Sequence, residues 1–157
     1  TKHDEPGEDM MISSVPNAMV LYNPVLITAE AKGLKTFGGD RLERLKKRLG
    51  VEDPTTLSPY HNIRKGLPSS LVIHGRGDTT VPFLTAEMFV KQSVKAGLRS
   101  ELDGYDDMPH GFFNLGRYDN KMFLATVTRM HEFLKSLGYV KGKPTVDRFL
   151  KRLAKGK

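Results

Sequence analysis

Apolar residues in this chain fall into two alternating patterns: short unbroken runs, and longer stretches in which they recur every three or four positions. Ala18-Met19-Val20-Leu21-Tyr22 is entered from Pro16-Asn17 and closed by Asn23-Pro24. Such a run predicts a strand buried on both faces. Ser69-Ser70-Leu71-Val72-Ile73-His74, bounded by Pro68 and Gly75, predicts a second. Arg99 to Tyr105 is more polar, with Leu102 and Tyr105 its only large apolar groups, and suits a strand nearer a sheet edge.

Four helices are predicted between and after these strands. Asp40 to Leu49 sets Leu42, Leu45 and Leu49 three and four apart and ends at Gly50, a natural C-cap. Pro82 to Ala96 opens with Pro82, carries Ala86, Phe89, Val90 and Val94 on one stripe, and ends at Gly97. Asp119 to Leu137 carries Met122, Phe123, Val127, Met130, Phe133, Leu134 and Leu137 and ends at Gly138. A last amphipathic helix, Thr145 to Leu153, follows Pro144. Strands alternating with helices predict an α/β class built from parallel strands and right-handed crossovers. The segment Asn23 to Pro68, rich in Gly, Pro and Thr, reads as a lid-like connection over one rim of the sheet.

Composition narrows the function classes. With 38% apolar and 27% charged residues, the 157-residue chain has enough apolar surface for one folded core. It holds no cysteine, which excludes disulfides, zinc–thiolate sites and thiol nucleophiles. Its apolar runs fall far short of the roughly 18 residues that a membrane span needs. Thr1 to Asp9, with no initiator Met and no apolar signal segment, reads as an acidic surface loop and implies residues upstream.

The net charge of +7 raises the question of nucleic acid, and its location answers it. From Lys135 onward there are eight basic residues and one acid, Asp147, so the whole excess sits in the tail and the preceding residues are neutral overall. A basic tail of this kind reads as a solvated terminal helix rather than a nucleic-acid footprint.

In open parallel sheets, reactive groups gather beyond the carboxyl ends of the strands, where loops converge on one crevice. Two loops stand out here. His74-Gly75-Arg76-Gly77-Asp78-Thr79-Thr80-Val81-Pro82 follows the second strand, and Asp106-Asp107-Met108-Pro109-His110-Gly111-Phe112-Phe113-Asn114 follows the third. Each places one titratable residue in a tight, glycine-bearing turn: Asp78 and His110. An Asp and a His on adjacent strand ends can share a hydrogen bond that fixes the imidazole tautomer and stabilises the imidazolium formed on proton uptake.

The segments HGRGDTTVPF, MPHGFFN, SPYHNIRKGLPSSLVIHG and PNAMVLYNPVL together resemble the C-terminal half of α/β-hydrolase esterases and lipases of the acetyl-esterase type. They are also similar to the related prolyl oligopeptidase-like peptidases. The resemblance runs from about Val15 to Tyr139. It implies an α/β-hydrolase domain over residues 1–139, lacking its N-terminal half, followed by a basic amphipathic tail over 140–157. It also implies that Asp78 is the triad acid and His110 the general base, in the family's chain order of nucleophile, acid, base. The family's nucleophile sits in a GxSxG elbow, and none of the eight serines here has glycine at both flanking second positions. The resemblance therefore implies a serine upstream, together with the oxyanion donors that accompany it.

The expected function is that of a serine carboxylic-ester hydrolase fragment acting on a small ester and needing no cofactor. Its expected partner is the missing N-terminal half, or a second copy of the chain at the open sheet edge. A peptidase of the prolyl oligopeptidase type and a non-catalytic interaction module whose basic tail binds acidic partners are the alternatives. His74 reads as part of the crevice wall. His3, His61 and His131 lack partners at metal-ligand spacing, so no metal site is expected. Phe83, Phe112 and Phe113 follow the two loops and suit either an acyl pocket or core packing. Gly75, Gly77 and Gly111 read as turn formers, since none opens a GxGxxG or P-loop pattern.

Overall fold

The structure, a computed structural model, describes residues 7, 9, 11–34, 43, 44, 46–48 and 50–156. Three parallel strands, β1 (Ala18–Tyr22), β2 (Ser69–Gly75) and β3 (Ser100–Tyr105), form a sheet in the order β1-β2-β3. Helix α1 (Phe83–Lys95) connects β2 to β3, and α2 (Lys121–Ser136) and α3 (Val146–Lys155) follow.

Period-two alternation along β2 divides the core between two faces. Leu71 and Ile73 point to one face, where Phe112 and Phe133 of α2 pack on them with Val20, Tyr22 and Tyr105. Val72 points to the other, against Ala86 and Phe89 of α1 and Leu26 and Ile27. In register, Leu21, Val72 and Leu102 form one row of that second face. Leu71, Val72 and Ile73 are fully buried, each contributing roughly 1.5–3 kcal/mol through apolar burial.

The pattern-based expectations fit the ends of these elements to within two residues. Pro82 caps α1 from outside it, and α2 starts at Lys121 after a 3-10 turn, Tyr118–Asn120, whose three residues all have positive φ. β1 was expected to be buried on both faces, yet all five of its residues are half-buried, because β1 is an edge of the described sheet and has a neighbour on one side alone. Part of the Asn23 to Pro68 connection packs into the core. Leu26, Ile27 and Ala29 are buried, and the Thr28 hydroxyl donates to the Pro54 carbonyl at 2.8 Å. The apolar face of α1 needs a cover, and this segment supplies it. Leu42, Leu45 and Leu49 of the expected Asp40 to Leu49 helix lie outside the described residues.

Candidate active site

The parallel register brings the carboxyl ends of all three strands to one rim, and the loops leaving β2 and β3 are stitched together there. Arg76 N–H donates to the Tyr105 carbonyl at 2.8 Å, and Gly77 N–H to the Met108 carbonyl at 3.1 Å. The backbone of one loop lies directly on the other, so a side chain at the crossing has no room. Gly104 opens similar space one strand over: a Cβ there would fall 2.8 Å from the Phe83 ring, over which Arg76 lies at 4.4 Å.

This stitching carries Asp78 and His110 to each other. His110 Nδ1 stands 2.8 Å from Asp78 Oδ2, with the carboxylate wholly buried and the imidazole side chain 44% exposed. The other carboxylate oxygen, Oδ1, accepts from the backbone N–H groups of Thr80 at 2.8 Å and Val81 at 2.9 Å. Oδ2 accepts further from Asn23 Nδ2 at 2.8 Å and lies 3.2 Å from His74 Nε2. Burial by itself raises the Asp78 carboxyl. The hydrogen bonds from Val81, His110 and Thr80 outweigh it and hold the group below the usual carboxylate range. Asp78 is therefore an anion with its lone pairs engaged.

An anion at Oδ2 requires the proton of His110 to sit on Nδ1, which leaves Nε2 as the nitrogen able to take a second proton on the exposed side of the ring. Arg117 braces the turn behind it, donating to the His110 carbonyl at 3.3 Å and the Gly111 carbonyl at 3.4 Å. The pair can accept a proton from a hydroxyl placed at Nε2 and return it to a leaving group.

His74, fully buried at the end of β2, is different. Its Nε2 is 3.0 Å from the Val81 carbonyl as well as near Asp78, two acceptors that place its proton on Nε2. Nδ1 is buried with no hydrogen-bond partner among the described residues. Burial pushes the imidazole below its ordinary value, against the opposing pull of Val81 and Asp78, so the ring is neutral. It stacks edge-on to Phe83 at 5.7 Å and forms the wall beneath the pair.

Of the aromatic candidates, Phe112 is 0% exposed, packed between the sheet and α2, a placement that supports its core reading. Phe83 is buried between His74 and Arg76. Phe113 is half-buried, its ring 4.7 Å from Tyr22. Among the described residues no group of three or more His, Asp or Glu could hold a metal ion, and no helix is long and apolar enough to cross a membrane. His61 bonds Ser58 and the Glu30 carbonyl, and His131 faces the Gly142 carbonyl, both away from the pair; His3 lies outside the described residues. Asn23, a residue that the pattern along the chain did not single out, contacts both Asp78 and the β2 end. The signal available was an asparagine closing a strand at its carboxyl end just ahead of a proline.

The solved esterase Est2 of the planctomycete Thermogutta terrifontis shares this architecture. Its native structure is 45% identical over 91% of this chain and 50% of its own, with a TM-score of 0.80. The fold is that of the C-terminal half of an α/β-hydrolase. The propionate-bound form of the same esterase is 42% identical over 92% of this chain and 51% of its own, TM-score 0.79. A form phosphonylated by sarin is 45% identical over 89% and 51%, TM-score 0.80. The chain thus spans about half the length of the esterases that it matches. Neither protein-family models nor curated proteins gave a match.

Proposed function

We propose that Asp78 and His110 are the acid and base of a serine ester hydrolase whose nucleophile and oxyanion donors lie on residues outside this chain. The observation that carries this reading is the 2.8 Å contact between a fully buried, multiply bonded carboxylate and a part-exposed imidazole, on loops leaving adjacent parallel strands. Similarity to an esterase that binds propionate and is phosphonylated by sarin supports a small acyl ester as substrate.

In this mechanism a serine hydroxyl attacks the ester carbonyl as its proton passes to His110 Nε2. The imidazolium, stabilised by Asp78 through Nδ1–H, then gives that proton to the departing alkoxide. Water repeats the sequence on the acyl-enzyme and releases the acid. Residues 1–139 make up the hydrolase portion, and 140–157 form a basic extension that docks through Val146 and through Phe149 against Phe123. β1 pairs on its open side with the N-terminal half or with a second copy.

The test uses a short p-nitrophenyl ester. The chain alone should give no hydrolysis above buffer. A longer protein in which a GxSxG-bearing segment precedes it should hydrolyse the ester, and there Asp78→Asn and His110→Ala should each cost on the order of 10⁴-fold in kcat without unfolding the protein. Full activity in both variants would overturn the mechanism.

A further inference from the structure

Asn23 is 4% exposed and, directly after β1, reaches the pair from the carboxyl end of that strand. Its N–H continues the ladder, donating to the Ile73 carbonyl at 2.9 Å, and the chain then turns with φ at 42° before Pro24. That left-handed conformation suits asparagine, but glycine adopts it more readily. The backbone alone therefore does not explain an asparagine here.

The amide does. Nδ2 donates to Asp78 Oδ2 at 2.8 Å, while Oδ1 accepts from Gly75 N–H at 3.3 Å. These two bonds fix the orientation of the amide, since reversing it would set Oδ1 against a carboxylate oxygen and Nδ2 against a donor. Nδ2 is also 3.4 Å from His110 Nδ1. With Nδ1 protonated, both are donors converging on the same oxygen and no hydrogen bond joins them. Asp78 Oδ2 is consequently where the ends of all three strands meet, and Asn23 clamps it to the backbone of β2.

We infer that Asn23 is a positioning residue for the proposed hydrolase: its amide orients the Asp78 carboxylate so that Oδ2 accepts the hydrogen bond from His110 Nδ1–H and keeps the base lone pair on Nε2. This rests on the acid–base reading of Asp78 and His110. The amide acts through Asp78 alone, so it bears on the chemical step and not on substrate binding.

The deciding variant is Asn23→Gly, which keeps the left-handed backbone and deletes the amide. In the 157-residue chain, ¹⁵N shifts of the His110 ring should report the Nδ1–H tautomer, and Asn23→Gly should move the ring toward a mixture with Nε2–H. In the longer, active protein the same variant should lower kcat by about 10- to 100-fold with KM unchanged. If Asn23→Gly does not fold, Asn23→Ala carries the same test, because it deletes the donor without setting a second charge beside the Asp78 carboxylate. An unchanged tautomer and unchanged kcat in a folded variant, with His110→Ala still inactive, would overturn the positioning role and leave the mechanism standing. Activity surviving in His110→Ala would instead remove the mechanism on which it rests.

Discussion

Gly75 lies so close beneath Met108 that a Cβ on it would fall 2.0 Å from the Met108 carbonyl oxygen. This crossing locks the loop that carries Asp78 to the loop that carries His110, because Gly77 N–H bonds the same carbonyl at 3.1 Å. A methyl group on Gly75 meets backbone, which cannot step aside as a flexible side chain would. Gly75→Ala should destabilise the chain by on the order of 3 kcal/mol and lengthen the Asp78–His110 contact. Denaturant unfolding and the His110 ring shifts check both effects, and a variant as stable as the parent would show that the loops have slack.

His74 makes stability depend on pH. Its folded value is lowered below 6.5, so the unfolded chain binds its proton first as the pH falls. Stability from this group is complete above 6.5 and declines as the pH drops below it toward the folded value. Asp78, also lowered, acts in a more acidic window, its contribution present above 3.8 and lost as the pH falls through its folded value. Chemical denaturation across pH should show the first decline in the parent chain and a shallower one in His74→Gln. An identical slope in the two proteins would count against a neutral buried His74.

Phe112 and Phe133 should behave as core residues. Both are buried on the α2 face, so Phe112→Ala or Phe133→Ala should cost roughly 3–5 kcal/mol by transfer and cavity formation. Phe112→Leu, which keeps most of the volume, should cost much less. Were Phe112 part of an acyl pocket, its alanine variant would instead change acyl-chain preference while leaving stability nearly intact.

The open side of β1 should draw a partner. A strand with one hydrogen-bonded neighbour presents unpaired N–H and C=O groups along its other side, an arrangement that invites pairing. Sedimentation of the chain at micromolar concentration should show species heavier than a monomer. A stable monomer that binds no apolar dye would contradict this.

The sequence by itself determined the parts of this α/β chain whose cause is local. Unbroken apolar runs between Pro, Gly and Asn place β1 and β2, three- and four-residue spacing places α1 and α2, and glycine-bearing turns place Asp78 and His110 at strand ends. Their meeting was also legible, because adjacent parallel strands must end on the same rim. What surrounds the pair was decided by tertiary structure alone. Asn23 reaches Asp78 across 55 residues, and His110 reaches it across 32, but only His110 carries a side chain whose chemistry announces itself in a sequence. His74 is made neutral by burial, and Phe112 is made a core residue by the arrival of α2, neither of which a local pattern encodes. Hydrophobic period reports which face a residue takes on its own element; the partner on that face depends on how distant elements pack, and that is a property of the whole fold.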